Sequence, residues 1–397
     1  MTFTARTTGG CYHLTMNKEG KRIVIVNQTS GYLMRDIARA FMEEYEQVTV
    51  LASLALDGVR TDRIIAYDKR SSVRRVLTWC VATVQIWWKV FWKYRDDELF
   101  IVSNPPMAPL LPLILRNPFS VLIYDIYPDV LVNQQVIKTT NLLARWWRKA
   151  NRRVFARAER VYTIGEGMRD CLSQYADAEK IKVVPLWPND THIQPIAKDD
   201  NLFIKEHHLE GQFVVLYSGN LGSTHRVEVL VDVARSMEDV TFVIIGEGAK
   251  KKLIAERVER EECRNVMLLP YQPLETLSHV LSAADVAVVT LDMGASQMSV
   301  PSKTFNLMAV GAPIMGIASP ESELGRLVGK YGMGRLFMPE DIDGMVAFIR
   351  EMKEDDALRT TYSRHSLGAS RFFTSENAKM FLKVFFVVFI ALLPLTF

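Results

Sequence analysis

The chain has 397 residues, 49% hydrophobic and 23% charged, with a mean hydropathy of +0.05; this is room for two or three cored domains and excludes collagen-like and disordered chains. The net charge of +3 hides an asymmetry, since residues 1–190 hold 27 Lys and Arg against 19 Asp and Glu, and residues 191–397 hold 21 against 26. Four scattered cysteines (Cys11, Cys80, Cys171, Cys263) and seven histidines without HExxH spacing build neither a disulfide scaffold nor a metal cluster, so a metal protein is not expected.

Residues 1–20 read as a disordered extension without the basic-then-apolar pattern of a signal peptide, and Met16 reads as the natural start. Strand Lys21–Asn27 ends in Gln28-Thr29-Ser30-Gly31; a helix from Leu33 to about Tyr45 and strand Val48–Leu54 complete a βαβ unit. Further strands are expected at Ile64–Tyr67, Leu99–Val102, Ser120–Tyr124, Arg160–Thr163 and Lys182–Val184, with helices at Val73–Tyr94 and Asn141–Ala158 between them. Near-continuous apolar strands are the mark of a parallel sheet covered on both faces. A polar, aperiodic stretch, residues 191–210, reads as a linker. Alternation then restarts, with strands Phe213–Tyr217, Thr241–Ile245, Asn265–Leu269, Val286–Thr290 and Pro313–Gly316 separated by helical segments. The expected architecture is α/β, two Rossmann-like doubly wound domains (21–190 and 211–375) facing a cleft, followed by a hydrophobic C-terminal helix, 376–397. The uncharged run Val384–Phe397 would make about 21 Å of helix, short of the roughly 30 Å hydrocarbon core. Full crossing is not expected; an interfacial anchor or a packed last helix both remain open.

Four strand-end elements in the second domain carry chemistry. Tyr217-Ser218-Gly219-Asn220-Leu221-Gly222 lies between a strand and a helix, where glycine permits close backbone approach and a helix N-terminus favours phosphate. The same pattern also makes an ordinary strand–helix turn. Gly246-Glu247-Gly248, Tyr271-Gln272-Pro273 and Val300-Pro301-Ser302-Lys303 follow later strands. Pro301 and Ser302 suit plain helix initiation, but a lysine in the first turn opposes the helix dipole and points to an anion. Neither GxGxxG nor a Walker A sequence occurs, which removes support from NAD enzymes and P-loop NTPases. Asp341-Ile342-Asp343 has metal-motif spacing but precedes a helix and reads as a cap.

In this order YSGNLG, GEG, PYQP, AADVAVV and VPSKTFNLMAVGAPI, within residues 212–316, resemble the donor domain of a GT-B glycosyltransferase of family 4, in the fucosamine-transferase-like branch of surface polysaccharide assembly. Tyr124-Asp125-Ile126-Tyr127-Pro128-Asp129 resembles that branch's D-[LI]-W-P-[DE] stretch, and residues 161–168 its VYTISEGM run. The resemblance spans roughly residues 21–375. It implies a transferase moving a hexosyl or aminosugar group from a nucleotide sugar, UDP-sugar favoured, to a lipid-linked or glycan acceptor, with retention at the anomeric carbon. Gly219, Asn220 and Gly222 would border the diphosphate, Lys303 beside Ser302 would neutralise it, Glu247 would stand at the neighbouring strand end, and Tyr271, Gln272 and Pro273 would lie by the base. The sequence departs from the family at Met298 and Asn306, where two glutamates eight positions apart are common. A nucleotide-sugar 2-epimerase of the same fold and a non-catalytic nucleotide-sugar binder are the alternatives.

On the acceptor side, Gly31, Asp125 and Glu166 stand at expected strand ends. Asp125 suits orienting or deprotonating an acceptor hydroxyl, or simply capping the next helix. Between Lys69 and Arg95 are seven basic and no acidic residues, around four of the seven tryptophans, and Arg145-Trp146-Trp147-Arg148-Lys149 with Arg152 and Arg153 repeats the chemistry. The alternative to a membrane-facing helix is one packed on the sheet with a basic end; the second cluster tips the reading toward an anionic membrane surface. No nucleic-acid module is recognisable. The expected location is cytoplasmic, peripheral on the inner face of the cell membrane.

Overall fold

A computed structural model describes residues 3–8, 11–16, 18–68, 70–133, 135–189, 193–222, 225–291 and 301–383. The chain divides into two units, Met1–Val184 with Ser375–Phe397, and Pro185–Thr374. Unit 1 contains strands β1 (Phe3–Thr8), β2 (Cys11–Met16), β3 (Arg22–Val26), β4 (Gln47–Ala52), β5 (Arg60–Arg63), β6 (Glu98–Val102), β7 (Phe119–Ile123), β8 (Val161–Thr163) and β9 (Ile181–Val183). Its helices are α1 (Tyr32–Phe41), α2 (Ser72–Lys93), α3 (Asp129–Asn133), α4 (Leu142–Arg157) and α5 (Glu166–Leu172). Unit 2 contains strands β10 (Val214–Ser218), β11 (Thr241–Ile245), β12 (Val266–Leu269), β13 (Val286–Thr290), β14 (Ile314–Ile317) and β15 (Gly334–Phe337). Its helices are α6 (Leu202–Glu206), α7 (Val229–Arg235), α8 (Lys251–Arg260), α9 (Leu277–Ser282), α10 (Lys303–Ala309), α11 (Glu323–Tyr331), α12 (Ile342–Glu354) and α13 (Asp356–Ser370).

Each unit is a doubly wound parallel sheet, in the order β5-β4-β3-β6-β7-β8-β9 and β12-β11-β10-β13-β14-β15. The first strand of each sheet is flanked by its successor on one side and by a later strand on the other, which creates a topological switch point at its carboxyl end. The β-branched runs RIVIV, VVLYS and VAVVT explain why these segments extend and lie buried. Alternate side chains of one strand feed opposite cores: Val214 and Leu216 join one cluster of unit 2, Val215 and Tyr217 the other.

In unit 1, right-handed crossovers put α1 on one face of the sheet and α2, the 3-10 turn Ala108–Leu113 and α4 on the other. The C-terminal segment returns to this unit as a 3-10 turn, Ser375–Phe381, beside α1. Phe381 sits 5.3 Å from Phe100 and 4.9 Å from Tyr162, ring centre to ring centre. Lys383 bridges Glu98 at 3.0 Å and Glu159 at 2.8 Å, and its N–H donates to Glu44.

Three segments differ from their sequence expectation. Part of the expected disordered extension pairs as the antiparallel β1–β2 ladder. The expected linker 191–210 contributes Phe203, Ile204 and Leu209 to the core of unit 2, with Asn201 capping α6. Of the expected C-terminal helix 376–397, residues 376–381 are 3-10 rather than α-helical and lie beside α1; Val384–Phe397 lies outside the described residues. Among the described residues no helix is long and apolar enough to cross a membrane.

Candidate functional site

In unit 2 the strands run parallel, so β10, β11, β12 and β13 all end on one edge. The loops after β10 and β11 are laced together: Gly219 N–H donates to Ile245 O (2.9 Å) and Leu221 N–H to Glu247 O (2.8 Å). Gly246 is the keystone, since a Cβ there would lie 1.9 Å from the Gly219 carbonyl oxygen. Gly246→Ala should therefore destabilise unit 2 by roughly 3 kcal/mol and abolish nucleotide binding. Unchanged melting and binding would show that the loops can part without cost.

Lys303 opens α10 with its side chain directed toward the end of β10. Its ammonium donates to the Tyr217 hydroxyl at 3.1 Å and lies 4.3 Å from the centre of that ring. Tyr217 in turn donates to the Asn220 carbonyl at 2.8 Å. A Cβ on residue 219 would come within 2.6 Å of the ammonium, so glycine makes the space that Lys303 fills. Among the described residues no carboxylate pairs with this ammonium, and burial pushes its pKa down to about 8. A desolvated cation lacking a counter-ion is a prepared anion site. On the same helix, the buried Thr304 hydroxyl and the Asn306 carboxamide oxygen have no hydrogen-bond partner among the described residues.

The expected donor residues divide by role. The N–H groups of Asn220 and Gly222 have no acceptor among the described residues, whereas that of Gly219 is already used; the contribution of Gly219 is therefore room rather than a hydrogen bond. Ser302 starts α10 without a side-chain cap. Glu247 pairs with Lys251, and its carbonyl serves the loop lacing. Tyr271 and Pro273 are exposed, and Gln272 donates to the Pro270 carbonyl, which leaves the Tyr271 ring open for stacking. Sequence reasoning put Tyr217 at the head of the strand-end element but gave its side chain no role, because that role depends on Lys303 arriving from 86 positions away. Met298 falls outside the described residues. Asp341 caps α12 by accepting from Gly344 N–H at 3.0 Å.

In unit 1, Gly31 precedes α1, Asp125 follows β7 and Glu166 begins α5, all at carboxyl ends of strands. Glu166 pairs with Arg169 at 2.9 Å. Asp125 has its N–H on the Ser103 hydroxyl, while its carboxyl has no partner among the described residues. That carboxyl is open to solvent yet ringed by protein, and desolvation raises its pKa. Asp129, in contrast, holds Arg148 at 2.8 Å and accepts from Tyr175, anchoring α4.

Residues 198–366 match the family model of glycosyl transferases group 1. The probable glycosyltransferase WbjE of Pseudomonas aeruginosa is 26% identical over 269 residues, 66% of this chain and 67% of that protein. WcaI of Escherichia coli (strain K12), named for glycosyl transfer in colanic acid biosynthesis, is 28% identical over 200 residues, 49% of each protein. The solved structure of Anabaena Alr3699/HepE in complex with UDP-glucose superimposes with a TM-score of 0.68 at 14% identity, covering 92% of this chain and 99% of that one. The second unit is thus the part of the chain that is similar to glycosyl transferases group 1, and the α/β fold is that of GT-B glycosyltransferases.

Proposed function

We propose that the protein is a retaining glycosyltransferase of surface polysaccharide biosynthesis, moving a hexosyl or aminosugar group from a nucleotide sugar onto a lipid-linked acceptor at the inner face of the cell membrane. The observation that carries this reading is the buried ammonium of Lys303 with no carboxylate partner among the described residues, at the switch point of the group 1 domain. Cleavage of the sugar–phosphate bond leaves negative charge on the departing diphosphate, and a fixed cation beside the Asn220 and Gly222 N–H groups stabilises that charge as it develops. This arrangement needs no metal or cofactor to neutralise the leaving group. UDP is the favoured nucleotide because the similarly folded Alr3699/HepE has been solved with UDP-glucose. WbjE and WcaI are both named as glycosyl transferases, which favours transfer over 2-epimerisation or silent binding.

On the acceptor side, Asp125 serves as the group that orients or deprotonates the incoming hydroxyl; its raised pKa makes it a stronger base than an ordinary carboxylate. Asp125→Asn should leave folding and nucleotide affinity intact and lower transfer by at least about tenfold. Near-wild-type turnover would reduce Asp125 to a loop residue. The test of the reaction class is release of nucleoside diphosphate from a panel of UDP-sugars, with and without polyprenyl-diphosphate-sugar. Release that requires the acceptor supports transfer. Interconversion of the sugar without acceptor would replace transfer with epimerisation.

A further inference from the structure

Helix α2 is apolar on two opposite sides. Its inward stripe, Thr78, Ala82, Ile86 and Val90, packs on the sheet. Its outward stripe is the larger one: Val73 is 78% exposed, Leu77 59%, Val84 62%, Trp88 58% and Trp92 64%. A water-facing helix would be polar there. From Val73 to Trp92 the stripe runs about 28 Å at 1.5 Å per residue.

The cations around α2 are less available than their number implies. Asp68 takes Arg70 and Arg74, and Asp62 takes Lys89 and Lys93. The Arg75 guanidinium lies 5.6 Å from the Trp79 ring centre, and Lys69 lies outside the described residues. Neutralised cations do not draw the helix toward a polar partner. They let its ends approach an apolar phase.

Unpaired charge is supplied by α4 instead. Arg145, Lys149 and Arg153 recur every four residues, so they form one stripe, exposed and without a carboxylate partner among the described residues. Beside them Leu142 and Trp146 are also exposed. Both helices lie on the same face of the unit 1 sheet; Trp79 of α2 and Trp147 of α4 flank the Tyr127 ring at 6.4 and 6.0 Å.

We infer that this face of unit 1 docks on an anionic phospholipid bilayer, with the outer stripe of α2 sunk among the acyl chains and the Arg145–Lys149–Arg153 stripe of α4 on lipid phosphates. The combination of an aliphatic and tryptophan stripe with a separate row of unpaired cations is what an interfacial helix pair requires. A second copy meeting this same face would answer the apolar stripe but leaves the cation row without a counter-charge. Both α2 and α4 begin at the strand edge that carries Asp125, so a lipid-borne acceptor would be delivered there, a consequence that rests on the transfer reading.

The test is co-sedimentation of the full chain, and of a chain ending at Lys383, with phosphatidylcholine vesicles with and without phosphatidylglycerol. Both chains should bind, more tightly with the anionic lipid. Leu77→Glu with Trp88→Glu should weaken binding at least about tenfold at any salt, because it removes inserted apolar surface. Arg145→Glu, Lys149→Glu and Arg153→Glu together should weaken it at least about tenfold at low salt and much less near 1 M, where screening cuts the reach to about 3 Å. Circular dichroism and nucleotide binding by unit 2 serve as folding controls. Failure of the chain ending at Lys383 to bind would move attachment to the tail and overturn the proposal. So would a fall from dimer to monomer in the Leu77/Trp88 variant without any vesicle binding by the wild type, which would assign the face to a second copy. Because no acceptor is present, a negative result leaves the transfer reaction standing.

Discussion

Lys303→Met should weaken nucleoside diphosphate binding by one to two orders of magnitude, since charge-assisted hydrogen bonds to a buried partner contribute roughly 1.5–3 kcal/mol. Methionine keeps the length of the side chain and removes its charge, so loss of packing does not confuse the result. The wild-type dependence on pH follows from the lowered pKa of about 8. Diphosphate requires the ammonium form, so affinity should decline as pH rises above about 8, and binding should take up a proton there, measurable by calorimetry in two buffers of different ionisation enthalpy. For unliganded stability the sign is opposite. Between about 8 and the ordinary lysine value of 10.5 the folded state binds fewer protons than the unfolded state, so stability rises with pH through that window. Below it the buried ammonium is a standing cost, and Lys303→Met should stabilise the unliganded protein at pH 7 by up to about 3 kcal/mol, at about 1.4 kcal/mol per pKa unit. A variant that is less stable and binds nucleotide normally would remove Lys303 from the site.

Phe381→Ala should destabilise unit 1 by about 3–5 kcal/mol, the usual cost of emptying a buried phenylalanine position, while leaving unit 2 unchanged. Phe381 is 5% exposed and is held between Phe100 and Tyr162, and its removal also loosens the adjoining Lys383 bridge to Glu98 and Glu159. Tryptophan emission is a suitable readout, because Trp187 alone of the seven tryptophans belongs to unit 2. The emission midpoint in urea should fall by more than about 1 M at the slopes of about 1–3 kcal/mol/M typical of small proteins. Nucleotide binding by unit 2 should persist beyond that midpoint. Coincident loss of both signals at the wild-type midpoint would mean that the returning segment contributes nothing to unit 1.

The parts of this fold that were legible in the sequence are those whose cause is local. Val214–Ser218 and Val286–Thr290 are β-branched runs closed by turn residues, and Ser71 and Asn141 stand where helix caps belong. Lys303 was legible because a cation in the first turn of a helix conflicts with the dipole, and such a conflict is a signal in itself. What escaped was set by distant partners. Phe203, Ile204 and Leu209 are too sparse to mark a core segment, and only the neighbouring sheet makes them one. The sequence places Asp62 and Asp68 outside the basic run, yet they neutralise four of its cations. Nothing in Ser375–Lys383 announces a return to the first unit; the pairing spans 285 positions between Lys383 and Glu98.

That return has a consequence for synthesis. Unit 2 is continuous in the chain and can complete itself as it emerges, but unit 1 cannot. Once Val184 has been made, about 190 further residues must follow before Ser375, roughly 10–40 s at translation rates of about 5–20 residues per second. Throughout that interval the rings of Phe100 and Tyr162 lack the Phe381 ring that covers them. The returning piece of unit 1 clears the ribosome only after the whole of unit 2, so the first half of the protein is finished after the second. Fusing the returning segment directly after Val184, by circular rearrangement of the gene, would let the halves mature in the order in which they are made.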